Sequence, residues 1–247
     1  EDLLGFRRNP GETAPLFRRL GSKALDGHPT PATPFVPVAT GPSGVGMGSA
    51  VGLALGLADT YGPHAPRVHV IEGEGGLTPG RVSEAMACAS ASELSNLVVH
   101  VDFNQSTIDS DRCCREDGQA GDYVQWDPAE LAHLHDFNVI LVQDGHDLAQ
   151  VLQAQQLALQ LGTSQPTCIV YRTVKGWRYG IEGRQSHGAG HGFCSDGYHA
   201  ALQPFERPFQ VQMPRFRGEI TPEGIERCYH ETLMTVDATT GQNGVRQ

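Results

Sequence analysis

Short apolar runs that alternate with segments of helical spacing restrict the fold of this chain more than any other feature of its sequence. The apolar runs lie at residues 67–71, 96–103, 138–143 and 166–174. The segments of helical character lie at residues 43–61, 80–93 and 147–161. Strands joined by helices of about 10–15 residues form right-handed crossovers, which make neighbouring strands parallel and cover both faces of the sheet. The sequence therefore predicts an α/β protein with three layers, in which helices flank a mostly parallel sheet.

Polar residues follow the first two apolar runs, where each predicted strand ends. Glu74 lies in the sequence GEGG after the first run, and Asn104 comes directly after the second. Between Gly75 and Asn104 there are 28 residues. Ligands of such sheets bind beyond the carboxyl ends of the strands, so a carboxylate and an amide oxygen would meet there. Hard cations such as Mg²⁺ prefer oxygen ligands of this kind, and Mg²⁺ commonly shares its ligands with a bound phosphate.

The glycines around Glu74 suit the approach of a phosphate. Gly73, Gly75 and Gly76 have no side chain to keep an anion away from the backbone amides. A helix predicted to begin near Gly80 would also direct its positive N-terminus toward the same place. The sequence therefore predicts a site for a metal ion and a phosphate group at this edge of the sheet.

Five segments together resemble the transketolase family. The glycine–acid–glycine sequence, followed by about 28 residues and an asparagine, is similar to the metal and diphosphate signature of thiamine diphosphate enzymes. Four segments resemble transketolases in particular, in the family's order: DGHP (26–29), TGPSGVG (40–46), VDFNQSTID (101–109) and SHGA (186–189). The resemblance covers about residues 3–200 and implies the thiamine-diphosphate-binding form of the α/β fold.

The resemblance implies a set of ligands for the metal and the cofactor. Glu74, the side chain of Asn104 and the backbone carbonyl of Ser106 would hold the metal, which we expect to be Mg²⁺, with Ca²⁺ and Mn²⁺ as alternatives. The residues that would contact thiamine diphosphate are Gly41, Pro42, Ser43, Gly73, Gly75, Gly76 and His187. The residues with implied catalytic roles are His28, His187 and Glu84. Both histidines would reach the reacting end of the cofactor, and Glu84 would belong to a hydrogen-bond network between paired sites.

The implied activity is the transfer of a two-carbon ketol unit between sugar phosphates in carbohydrate metabolism, which makes the chain a transketolase-like transferase. Three positions depart from the family's pattern. Glu74 stands where an aspartate is usual, Pro79 where another glutamate of the inter-site network is common, and Ser43 where a leucine is usual. These changes put the metal affinity and part of the network in doubt.

The resemblance also implies that this chain supplies only part of an active site. We expect residues 1–202 to form the diphosphate-binding domain without its N-terminal part, and residues 203–247 to form a linker, a short helix and a tail. The sequence has no counterpart of the pyrimidine-binding domain, whose glutamate activates the aminopyrimidine. We therefore expect a partner domain or subunit, a dimer or hetero-oligomer, and no activity from the chain alone.

Composition excludes several other classes of protein. A formal net charge of −10 with 18 scattered Lys and Arg residues does not suit a nucleic-acid-binding protein, which needs clustered positive charge. No run approaches the roughly 18 apolar residues of a membrane span. The six cysteines form no CxxC pair, so we expect reduced thiols in a cytoplasmic protein.

Two alternative functions remain open from the sequence. The first is another thiamine diphosphate enzyme, such as a deoxyxylulose phosphate synthase or a component of a 2-oxo acid dehydrogenase. The second is a non-catalytic, regulatory homologue that has kept the fold after losing the chemistry. The segments DGHP and SHGA favour a transketolase over the first alternative.

Overall fold

The computed structural model of this protein describes residues 28–31, 36–106, 124, 126–188, 190–192, 195–215 and 221–242. The chain divides into two compact units. One unit, here called the sheet unit, contains Thr40–Trp177 and Glu182–His187. The other, here called the second unit, contains the remaining residues. The assignment of residues 1–202 and 203–247 to separate domains stays a prediction.

The sheet unit is built on four strands: β1 Val68–Gly73, β2 Leu97–Phe103, β3 Asn138–Val142 and β4 Thr167–Arg172. Their order in the sheet is β1-β2-β4-β3, and each neighbouring pair is parallel. Val70 lies opposite Val99, and Val101 lies opposite Val170, so the branched residues of three strands form adjacent rows. The predicted parallel sheet is confirmed.

Four helices accompany these strands: α1 Val45–Tyr61, α2 Gly80–Ala91, α3 Pro128–Leu134 and α4 Leu148–Gln160. The carboxylates of Asp127 and Asp147 cap α3 and α4, because each accepts a hydrogen bond from the backbone N–H two residues later. The three longer helices agree with the predicted segments. The sequence patterns do not predict α3, since seven residues are too few to show a helical period.

Helices cover the two faces of the sheet to different extents. On the first face, here called the α1–α2 face, buried valines of β1 and β2 pack against Met47, Ala54 and Met86 of α1 and α2. On the opposite face, here called the α4 face, Val98 and Ile169 pack against Ala154 and Ala158 of α4. Helices on both sides of the sheet confirm the predicted three layers.

The described part of the second unit contains two helices, α5 Asp196–Phe209 and α6 Pro222–Gln242. Ser195 caps α5 by accepting the backbone N–H of Tyr198. The prediction of a linker from residue 203 is wrong for residues 203–209, where α5 continues through two prolines. The rings of Phe205 and Phe209 lie 4.5 Å apart at helical spacing, a contact that supports the helix by a few tenths of a kcal/mol. No described helix has the length and apolar character needed to cross a membrane.

Candidate functional site

Glu74 lies where β1 ends, at the start of a short 3₁₀ turn, Glu74–Leu77. Its side chain is only 2% exposed. One carboxylate oxygen, Oε2, accepts a hydrogen bond of 3.3 Å from the backbone N–H of Asn104. The other, Oε1, is buried and has no hydrogen-bond partner in the described structure. The first predicted metal ligand is therefore a buried carboxylate with one uncompensated oxygen.

The surroundings of Glu74 oppose its negative charge. Burial raises the pKa of this carboxyl group, while backbone N–H groups of Glu74, Asn104 and Gln105 lower it and the nearby Asp102 raises it. A buried carboxylate with one oxygen lacking a partner is costly, and a cation at that oxygen would remove much of the cost. Oε1 of Glu74 therefore fits a divalent metal ion.

Asn104 follows β2, beside Glu74 on the neighbouring strand. Its Oδ1 accepts the backbone N–H of Ser106 at 2.9 Å, and its Nδ2 donates to Asp102 at 3.1 Å. The other oxygen of Asp102 accepts the hydroxyl of Thr173, at the end of β4. These bonds fix the orientation of the Asn104 amide, and a carbonyl oxygen has a second lone pair available for a cation.

Gln105 holds the loop after β2 in place. Its backbone adopts a left-handed conformation, with φ of 55°. Its side-chain amide forms two hydrogen bonds with the backbone of Val124, accepting the N–H at 3.0 Å and donating to the carbonyl at 3.2 Å. The positions of Asn104 and Ser106 therefore depend on a residue that the sequence patterns did not single out.

A second glycine-containing turn lies against the turn that carries Glu74. A Cβ on Gly44, whose φ is 74°, would lie 2.7 Å from the carbonyl oxygen of Gly76 and 2.6 Å from a methyl group of Val82. The guanidinium of Arg81 donates a hydrogen bond to the carbonyl of Ser43 at 3.2 Å. The structure therefore places Gly44, which directly follows the predicted cofactor residues 41–43, against the turn that contains residues 73–76.

His187 lies at the end of another short 3₁₀ turn, Gly183–Ser186, which belongs to the sheet unit. A Cβ on Gly183 would lie 3.7 Å from the hydroxyl oxygen of Ser106. His187 itself is exposed, and its backbone N–H donates to Arg184. This turn therefore reaches the loop that contains the predicted metal ligands, although Ala189 of the SHGA segment lies outside the described residues.

Two predicted site residues are not placed beside this edge by any described contact. Glu84 is exposed on α2. His28 is exposed and belongs to the second unit. Among the described residues, no three His, Cys, Asp or Glu side chains come together in a way that could hold a metal ion. The roles of all the site residues toward a metal or cofactor stay predictions.

A cavity of about 720 Å³ opens on the α4 face and reaches this edge. Its lining includes Asp102 and Asn104 at the edge, and His69, His100 and Tyr171 further along the strands. The sequence patterns did not predict this cavity. The alternation of side chains along β1 and β2 could have indicated this cavity, because His69 and His100 occupy positions on the face opposite to Val70, Val99 and Val101.

Residues 2–200 match the family model described as the thiamine diphosphate binding domain of transketolase. Transketolase from Homo sapiens is 35% identical over 181 residues, which are 69% of this chain and 25% of that protein. Transketolase-like protein 2 from Homo sapiens is 39% identical over 170 residues, which are 65% of this chain and 24% of that protein. The chain thus spans about a quarter of the length of these relatives.

Solved structures agree with this match. Transketolase from Leishmania mexicana superposes with a TM-score of 0.67 at 25% identity, covering 95% of this chain and 36% of that one. The structure from Campylobacter jejuni has a TM-score of 0.65 at 24% identity, covering 94% and 35% of the two chains. The chain therefore belongs to the transketolase family, and residues 2–200 correspond to its thiamine diphosphate-binding domain.

Proposed function

We propose that this chain provides the diphosphate-binding part of an enzyme that transfers a two-carbon ketol unit between sugar phosphates, with thiamine diphosphate and a divalent metal ion. The observation that carries the proposal is the buried Glu74, whose Oε1 has no partner, beside Asn104 at the carboxyl ends of β1 and β2. Membership of the transketolase family supports the same assignment.

The metal would be held by oxygen atoms of three residues: the carboxylate of Glu74, the side-chain amide of Asn104 and the backbone carbonyl of Ser106. Mg²⁺ suits this set, because it prefers oxygen ligands and keeps part of its shell for phosphate oxygens and water. Backbone amides of segment 73–76 would face the diphosphate, and segment 41–43 would line the cofactor on the adjoining side. Bound there, thiamine diphosphate would supply the carbanion and electron sink that the reaction requires.

Two histidines would handle protons and hydroxyl groups near the reacting end of the cofactor. An imidazole can both donate and accept a proton close to neutral pH, which suits His28 and His187 to hydrogen-bond sugar hydroxyls or phosphate oxygens. Glu84 would take part in a hydrogen-bond network that links paired active sites.

The rest of the active site would come from a pyrimidine-binding domain or subunit, in a homo- or hetero-oligomer in the cytoplasm. The chain spans about a quarter of its curated relatives, which leaves room in them for further domains. We therefore propose that the isolated chain does not catalyse transfer.

Reconstitution tests this proposal. The chain is mixed with the pyrimidine-binding and C-terminal domains of a transketolase, thiamine diphosphate, Mg²⁺, a ketose phosphate donor and an aldose phosphate acceptor. We expect transfer by the mixture, none by the chain alone, and a loss of roughly 10–100-fold for Asn104→Ala. Gln153→Ala, which removes an exposed amide from α4, is the control and should keep full activity.

Two results would contradict the proposal in different ways. Transfer at an enzymatic rate by the isolated chain would show that no partner is needed. A mixture that binds the cofactor but never transfers a two-carbon unit would indicate a regulatory homologue in place of an enzyme.

A further inference from the structure

Glu72 occupies a position of β1 where an apolar residue would be expected. Side chains alternate between the two faces of a strand, so Glu72 projects to the same side as the buried Val68 and Val70. In the sheet it lies opposite Val101, which is 0% exposed. A carboxylate at the last such position of the strand, only two residues before Glu74, calls for a physical reason.

The carboxylate of Glu72 lies inside the glycine turn that follows it. Its Oε1 accepts a hydrogen bond of 3.2 Å from the backbone N–H of Gly73. A Cβ on Gly76 would overlap the same carboxyl group, so the Glu72 side chain occupies the space that the glycine leaves open. The side chain is half-buried, and no Lys, Arg or His of the described residues forms an ion pair with it. The turn predicted to receive a diphosphate thus already contains a negative charge.

We propose that Glu72 sets the affinity of this site for a diphosphate and makes that affinity depend on a divalent cation. The inference rests on the proposed function, because it takes the glycine turn to be the place of the diphosphate. A diphosphate carries several negative charges, and a carboxylate in the turn that receives it opposes its binding. A cation bound by Glu74 and Asn104 would offset this repulsion.

The consequence is a site that discriminates against free diphosphate groups. Without the cation, the carboxylates of Glu72 and Glu74 both disfavour an anion in the turn. With the cation, two positive charges offset the charge of Glu74 and part of the remaining negative charge, and the anion gains a direct partner. Glu72 therefore acts as a specificity-determining residue that couples anion binding to metal binding.

Calorimetric titration of the full chain with inorganic diphosphate at several Mg²⁺ concentrations tests the inference. Inorganic diphosphate probes only this half of the site and needs no pyrimidine-binding partner. Glu72→Gln removes the charge but keeps the shape and the oxygen that accepts the Gly73 N–H. We expect it to bind diphosphate roughly tenfold more tightly at low Mg²⁺ and to need less Mg²⁺ for half-maximal binding.

Controls separate a local effect from a general one. Asp59→Asn removes one charge from an exposed residue near the far end of α1 and should leave the affinity unchanged. Glu72→Met removes the charge with a side chain that suits the apolar face, and should also bind more tightly if the first variant folds poorly. Thermal unfolding establishes that each variant is folded.

The outcomes distinguish this inference from the function on which it rests. Equal affinity in the wild type and both Glu72 variants would overturn the role of Glu72 while leaving the diphosphate site intact. Weaker, less metal-dependent binding by the variants would also overturn it, since Glu72 would then be a ligand of the cation. An absence of binding in the wild type and the variants at every Mg²⁺ concentration would reject the diphosphate site itself.

Discussion

The middle of the β1–β2 strand pair is apolar and closely packed, whereas its carboxyl end buries a charged group. In the middle, Val70, Val99 and Val101 are buried among apolar side chains of α1 and α2. At the end, a few residues later, Glu74 is buried just as deeply but keeps a carboxylate oxygen without a partner. The same two strands thus contribute to a packed apolar core and lead, at their carboxyl end, to a buried carboxylate that is not fully hydrogen-bonded.

This difference indicates where the fold is stabilised and where it is arranged for binding. Burial of an aliphatic side chain stabilises a fold by about 1.5–3 kcal/mol, whereas a buried polar group without a hydrogen bond costs about 1–3 kcal/mol. Departures from full satisfaction in an otherwise consistent structure are expected at functional sites. We therefore propose that the carboxyl end of β1 and β2, here called the binding edge, receives a ligand and is supported by the packed middle of the two strands.

The largest expected change in stability comes from a substitution in the packed β1–β2 strand pair. Leu97, the first residue of β2, is fully buried, so Leu97→Ala should lower the free energy of unfolding by about 2–5 kcal/mol. Leu148→Ala is the matched control, because Leu148 is 77% exposed and its loss should change stability by less than about 0.5 kcal/mol. Urea unfolding measures both. Equal losses would contradict the assignment of the core to this ladder.

At the binding edge, a substitution should increase the free energy of unfolding, whereas Leu97→Ala decreases it. Glu74→Gln removes a buried charge whose Oε1 has no partner, so the metal-free chain should gain about 1–3 kcal/mol in free energy of unfolding. The same variant should lose Mg²⁺-dependent binding of diphosphate. Urea unfolding in the presence of a chelator gives the first quantity, and calorimetry gives the second. A variant that is less stable than the wild type would mean that the carboxylate is already compensated in solution.

His100 is a polar residue in the middle of β2, on the α4 face, and it provides a third test of how burial affects stability. Its Nε2 lies 2.9 Å from Nδ1 of His69, and its Nδ1 lies 2.9 Å from the hydroxyl of Tyr171. Burial, and to a smaller degree the charge of His69, lowers the pKa of His100 from 6.5 to about 4. Below pH 6.5 the unfolded chain therefore takes up a proton that the folded chain does not.

This difference predicts that the chain loses stability as pH falls from about 6.5 to about 4. The contribution of His100 should be about 1–2 kcal/mol after allowance for solvent screening of a partly exposed ring. His100→Gln should lose less stability over this range than the wild type, and His133→Gln, which changes an exposed histidine, should behave as the wild type. Denaturant unfolding at pH 7 and pH 4.5 checks this. Identical pH profiles for all three proteins would contradict the lowered pKa of His100.

The smallest expected change in stability comes from a substitution at the N-terminus of α4, on the surface of the sheet unit. Asp147 accepts the backbone N–H of Ala149 at 2.9 Å and so caps α4, and Asp147→Ala should cost about 1 kcal/mol. Asp59→Ala, which changes an exposed aspartate without a capping role near the end of α1, is the control. Thermal unfolding measures both variants. A loss as large as that of Leu97→Ala would mean that stability is not concentrated in the packed ladder.

The fold could be predicted from the sequence wherever a long periodic signal was present. The four strands and the helices α1, α2 and α4 lie within a few residues of the predicted segments, because their apolar periods extend over enough residues to be recognised. The seven-residue helix α3 is too short to show such a period. In α5, Pro204 and Pro208 argue against a helix, yet the helix continues through both of them.

The sequence predicted that Glu74 and Asn104 lie close together, but it did not predict the detailed contacts around them. The convergence of Glu74 and Asn104 follows from parallel neighbouring strands and is seen in their hydrogen bond. Three features depend on tertiary packing and cannot be predicted from a local sequence pattern. They are the oxygen of Glu74 that lacks a partner, the hydrogen bonds between Gln105 and Val124, and the position of the Glu72 carboxylate. The placement of His28 relative to the site remains a prediction, since it belongs to the second unit.

The central claim is that Glu74 and Asn104 form a metal-dependent diphosphate site, and calorimetric binding of thiamine diphosphate tests it most directly. The titration is done with and without Mg²⁺ on the wild-type chain and on Glu74→Ala/Asn104→Ala, in the presence of a pyrimidine-binding partner. We predict binding that requires Mg²⁺ and disappears in the double variant. Equal binding by the two proteins, or no binding by the wild-type assembly at any Mg²⁺ concentration, would contradict the claim.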